Sequence, residues 1–103
     1  MSTIDSQTEH VSEVEAALLD AELFVKYKSP EKAIKRLRMA IELNSRSIPL
    51  RERLKEVCAA KHPEEAARQC LALASMYIDR EDFDTAHDRL LEAKQFDNRI
   101  NIA

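Results

Sequence analysis

Alanine recurs at seven-residue spacing with a leucine between in two stretches of the chain, as Ala33, Leu37 and Ala40 and again as Ala86, Leu90 and Ala93. On a helix, positions i, i+4 and i+7 share one face. A face with alanine at two of the three lets another helix approach closely. Each stretch follows a second helix-period segment with its own matched pair, Ala21 with Phe24 and Ala74 with Tyr77, and the connecting loops are equal in length. The chain is therefore constrained to form antiparallel helical hairpins over residues 14–44 and 70–97. In the later hairpin Tyr77, Phe83 and Leu90 are expected to fill the space around the alanines, and Asp82 to cap the second helix by accepting from its first amides.

The 103 residues contain no Gly, no Trp and only three Pro, and they are rich in Ala, Leu, Glu, Lys and Arg. This composition predicts an all-α protein, of a length that suits one domain. Residues 1–11 lack periodicity and are assigned to a flexible tail, residues 12–97 to the helical domain, and residues 98–103 to a C-terminal tail. Ser12 and Glu15 have capping-box spacing and mark the expected start of the first helix, which runs to about Lys28 with Val14, Ala17, Leu18, Ala21, Phe24 and Val25 on its apolar face. Ser29-Pro30-Glu31 starts a second helix, with serine as the cap and proline where a missing amide is harmless. Ile48-Pro49 starts a third, bearing Leu50, Leu54, Val57 and Cys58. His62-Pro63-Glu64-Glu65 starts a fourth, whose apolar residues lie on more than one side, as expected of a helix between neighbours. Asp82 opens the fifth, which reaches about Gln95.

The order of small and large residues in the two hairpins resembles the tetratricopeptide repeat. The resemblance covers residues 14–44 and 70–97 in divergent copies: Lys28 and Glu81 stand where the family has Gly, Asp20 where it has a large apolar residue, and Ser45 or Asn98 where it has Pro. The copies are 53 residues apart, not a multiple of the roughly 34-residue period of such repeats. The fourth helix would then serve both a degenerate middle repeat and the final hairpin. The resemblance implies tetratricopeptide-like antiparallel hairpins, about five helices in a short right-handed α-solenoid; two separate hairpins joined by an extra helix is the other arrangement.

Sites of chemistry are hard to assemble. Cys58 and His62 are four residues apart, but Pro63 places His62 at a helix boundary and no second pair completes a metal site. A Cys58–Cys70 disulfide would be about a helical turn out of register. Without Gly there is neither a phosphate-cradling loop nor a nucleophile elbow. No catalytic residue, cofactor or metal is assigned, and the expectation is that the chain is not an enzyme.

Charge is segregated: residues 1–29 sum to -4, residues 30–61 to +5 and residues 62–103 to -4, within a net charge of -3. The basic middle contains Lys32, Lys35, Arg36, Arg38, Arg51, Arg53 and Lys55. No aromatic is interleaved there to stack on bases, so a solvated outer face is expected rather than a nucleic-acid site. No apolar run approaches the roughly 20 residues of a membrane span, and the N-terminus has neither the basic region nor the apolar core of an export signal. With only two cysteines, both inside helical pattern, a reducing cytoplasmic setting is expected.

In tetratricopeptide proteins the opening helix of each hairpin lines a concave surface. Carried over to this chain, the groove residues are Leu18, Glu22 and Val25 in the first hairpin and Leu71, Ser75 and Ile78 in the last. Leu, Glu and Ser replace the Lys, Arg and Asn of a carboxylate clamp, so the implied ligand is an amphipathic helix or apolar peptide of a partner protein. Burial of these same residues against neighbouring helices is the structural alternative. At the C-terminus, either Ile100 and Ile102 fold back as a cap, or another molecule covers the last hairpin, as in a homodimer. The functional expectation is a small cytoplasmic, bacterial adaptor, scaffold or chaperone, with a self-assembling structural protein as the alternative.

Overall fold

The helix-period segments all fold as helices in the computed structural model, which describes residues 2–101 and, within them, the side chains of residues 13–101. Among these residues five helices follow in order: α1 (Ser2–Lys26), α2 (Pro30–Leu43), α3 (Ile48–Cys58), α4 (Pro63–Asp79) and α5 (Phe83–Phe96), with no strand. The protein is all-α. It divides into two compact units, Met1–Leu50 and Arg51–Ala103, the boundary falling inside α3. In the first unit α1 packs on α2; in the second α4 packs on α5, and the greater part of α3 lies with them.

The two hairpins are closed by the same turn. Lys28 and Glu81, 53 residues apart, are the residues with positive φ among those described, at 60° and 59°. Each ends its helix in the left-handed conformation that lets two amides turn back to orphan carbonyls. Lys28 N donates to Val25 O at 3.0 Å and Ser29 N to Phe24 O at 2.7 Å; Glu81 N donates to Ile78 O at 2.8 Å and Asp82 N to Tyr77 O at 2.9 Å. These are the positions where the expected glycine is missing, so the backbone keeps a glycine-type geometry in residues that carry a Cβ. Past the turn α2 and α5 are each 14 residues long.

Helix starts are built unequally. Asp82 accepts from Thr85 N at 3.2 Å, a true side-chain cap. Ser29 occupies the cap position of α2 but its side chain makes no capping bond, and Pro30 follows it. Ser47 Oγ accepts from Leu50 N at 3.4 Å at the head of α3. α1 begins at Ser2, not at the Ser12–Glu15 pair, which lies within the helix. The polar run before Val14 has adequate helix propensity but no apolar period, so amphipathicity gave no sign of it.

All the crossing alanines are buried: Ala21, Ala33 and Ala40 in the first unit and Ala74, Ala86 and Ala93 in the second, with Leu37 and Leu73 beside them. Phe83, expected in the core, is exposed. It is the first residue of α5, at the place Pro30 holds in α2, one turn short of the buried Ala86. α4 is buried through Ala66, Ala67, Cys70, Leu73, Ala74 and Met76, while Leu71 and Ile78 remain exposed. It is thus covered on adjoining sides and open on a third. Among the described residues no helix is long and apolar enough to cross a membrane. Ile100 is half-buried, and Ile102, its expected companion in a C-terminal cap, lies outside the described residues.

Candidate functional site

The spacing of four and then three residues brings Leu18, Glu22 and Val25 onto one flank of α1, and Leu71, Ser75 and Ile78 onto the matching flank of α4. Glu22 and Val25 are exposed and Leu18 is half-buried; Leu71, Ser75 and Ile78 are all exposed. Each triple is a small accessible surface on its own unit, an aliphatic residue at each end of a polar one. Because the hairpins share one turn geometry, Val25 and Ile78 each supply the carbonyl that receives the left-handed residue's amide. Their main-chain positions relative to the turn are therefore the same in both units.

The most elaborate polar arrangement was not anticipated. In the second unit, α3, α4 and α5 converge on a charge cluster. Glu52 accepts from Tyr77 Oη at 2.9 Å and Arg89 Nε at 2.8 Å. Lys55 Nζ lies 3.0 Å from Glu52 and 3.3 Å from Glu92, and Arg89 Nη1 donates to Glu92 at 2.9 Å. Arg51 extends the array by donating to Gln69 Oε1 at 3.1 Å. Lys55, expected on a solvated basic face, is only 8 % exposed. It faces inward because two carboxylates on two helices are there to receive it. By contrast Lys32, Lys35 and Arg38 of the same basic stretch are exposed.

Burial pushes the Glu52 carboxyl up, but hydrogen bonds from Lys55, Arg89 and Tyr77 outweigh it and hold the group below its ordinary value. Burial likewise pushes Lys55 down, and the hydrogen bond and charge of Glu52 reverse the shift, so the ammonium is held above its ordinary value. Cys70, fully buried beside the cluster, is pushed up to about 11 by burial and then by the charge of Glu92. A thiol so raised stays protonated at neutral pH and is a poor nucleophile. Two acids and two bases neutralise one another, and among the described residues no buried side-chain nitrogen or oxygen lacks a hydrogen-bond partner. The cluster thus joins three helices through mutually satisfied ion pairs and hydrogen bonds. Its in-helix halves, Glu52 with Lys55 and Arg89 with Glu92, are visible in the sequence as i,i+3 pairs; their convergence is not.

On the first unit a shallow depression of ≈ 240 Å³ is lined by Glu13 of α1 and by Arg36, Met39, Ala40, Glu42, Leu43 and Asn44 on and just after α2. That is below the roughly 300–1,000 Å³ of sites that enclose small organic ligands. It suits a side chain of another polypeptide better. Arg36, one of its lining residues, is paired with Asp20 of α1 at 2.8 Å. Among the described residues no three His, Cys, Asp or Glu side chains are grouped to hold a metal ion. Comparison of the chain with protein-family models, with curated proteins and with solved structures finds no match.

Proposed function

We propose that this chain is a protein-interaction module of tetratricopeptide type, a cytoplasmic adaptor, scaffold or chaperone without turnover chemistry. It holds an amphipathic helix or apolar segment of a partner protein on the exposed flank that each hairpin presents by itself, that of α1 in the first unit or that of α4 in the second. The reading rests on the paired exposure of Val25 and Ile78 at matched places in two hairpins closed by the same turn. The buried alanines of each hairpin and the interior charge cluster are compatible with it, since both serve packing and leave these flanks available.

Site-specific photo-crosslinkers at Val25 and Ile78, followed by identification of the captured segment and its synthesis as a peptide, provide the direct test. Val25→Asp and Ile78→Asp are expected to weaken binding of that peptide while circular dichroism stays unchanged. Folded variants that keep full affinity would show that these flanks are not the site. A second reading, self-assembly through the helices, is favoured by the exposure of Phe83 and Leu91 on α5. It predicts a defined oligomer in sedimentation that Phe83→Ser dissociates; a monomer at every concentration excludes it.

A further inference from the structure

The two hairpins are alike in their turns but not in what lies on them. In the second unit α3 rests across one face of the α4–α5 hairpin, its residues bonded to Gln69 of α4 and to Arg89 and Glu92 of α5. Subtracting 53 gives the matching face of the first hairpin: Ala16 for Gln69, Arg36 for Arg89, Met39 for Glu92, Leu43 for Phe96 and Leu23 for Met76. The matched residues differ in accessibility. Met76 is 5 % exposed and Leu23 52 %; Phe96 is half-buried and Leu43 is 74 % exposed, with Met39 at 54 %. The first hairpin thus carries an apolar face at the place where the second carries a helix, and the depression beside Met39 and Leu43 lies on it.

We propose that the face formed by Leu23, Met39 and Leu43 is a docking site for a cationic amphipathic helix of a partner protein, which lies there as α3 lies on the α4–α5 hairpin. Three features specify the occupant. Length is the first: from Glu13 to Leu23 the face follows eleven residues of α1, a rise of about 15 Å over ten steps of 1.5 Å, matching the 11 residues of α3. Apolar character is the second. Where α3 sets Lys55 against Glu92, the first hairpin offers Met39, so the occupant presents an aliphatic side chain at that point. Methionine is well suited to adapt its shape to such a contact.

Charge is the third feature. In the second unit Arg89 takes a carboxylate from the docked helix, Glu52. In the first, Arg36 takes one from within the hairpin, Asp20 at 2.8 Å. The occupant therefore need not bring an acid. Glu13 and Glu42 add carboxylates to the lining of the depression, where Arg36 is the one base and is already paired with Asp20. A helix with Lys or Arg flanking its apolar stripe is complementary to that lining. The site is separate from the flank of Val25 and Ile78 and does not rest on that reading.

The test is a fluorescence-anisotropy titration of the full chain with a synthetic helical peptide bearing leucines on one face and lysines at its flanks, beside the same peptide with glutamate for every lysine. Met39→Gln and Leu43→Gln keep charge and helix propensity while removing the apolar contact. The lysine peptide is expected to bind, each Gln variant to weaken it by about tenfold or more, and Gln95→Ala, at an exposed position of α5 in the other unit, to retain it at wild-type affinity. Equal binding of the glutamate peptide, or wild-type affinity in Gln variants with unchanged circular dichroism, overturns the proposal. So does a dimer in sedimentation that Met39→Gln dissociates, because the face would then belong to a second copy of the chain.

Discussion

Lys28 and Glu81 each hold a left-handed backbone conformation, at φ 60° and 59°, with a Cβ that crowds the neighbouring carbonyl. Glycine adopts that conformation without the clash. Lys28→Gly and Glu81→Gly are each expected to stabilise the fold by about 1 kcal/mol, measured as a higher denaturation midpoint at unchanged slope. An equal loss instead would mean that the long side chains contribute more than the strain removes. At this scale the sequence was informative about identity and silent about geometry. Both positions stood out as missing glycines, yet nothing local says whether a turn lacking glycine changes shape or accepts the strain. The two amide-to-carbonyl bonds made at each turn are what retain the shape.

α3 is held to α4 and α5 through ion pairs and hydrogen bonds of Glu52, Lys55 and Arg51, so its attachment depends on pH. Glu52 has a depressed folded-state pKa, so the unfolded chain binds more protons in acid. Its stabilisation is complete above its ordinary 4.5 and is lost as pH falls through the lower folded value. Lys55 is raised above 10.5, so its contribution is complete below that pH and disappears as pH rises through the folded value. Glu52→Gln is expected to destabilise the second unit by about 2 kcal/mol near neutral pH, through weakened bonds to Lys55, Arg89 and Tyr77. It should also flatten the acid limb of a stability–pH curve; an unaltered acid limb would assign that loss to other carboxylates. Cys70, raised from 9.0 to about 11, gives a separate alkaline signature. The unfolded thiol ionises first, so stability falls between those values, and Cys70→Ala removes that part of the loss. Alanine is already the residue at the matched position, Ala17. An alkaline limb unchanged in Cys70→Ala would place the loss on Lys55 and Tyr77.

The whole molecule is uneven: one hairpin with an open face and one hairpin bearing a third helix. Residues 48–103, with three helices and a shared charge cluster, are expected to fold alone with a cooperative thermal transition. Residues 1–47, a hairpin with Leu19, Leu23, Met39 and Leu43 exposed, are expected to be marginal. Circular dichroism of the two fragments checks this, and a cooperative transition in the shorter one would contradict it. By itself the sequence determined the all-helical class, the order of helices α2 to α5 and the alanine-lined hairpins, because apolar spacing and proline starts are local properties that the backbone reads directly. It left α1 short by its polar first turns, which have no apolar period to display. It placed Phe83 inside and Lys55 outside, because hydrophobicity stands in for burial only until a helix ends early or a carboxylate arrives from elsewhere. Only the tertiary structure decided that Glu52, Lys55, Tyr77, Arg89 and Glu92 meet, and that Leu23, Met39 and Leu43 do not find a covering helix. Both outcomes turn on which faces three-dimensional packing brings together, and the spacing of residues along one helix carries no record of the helix that lies across it.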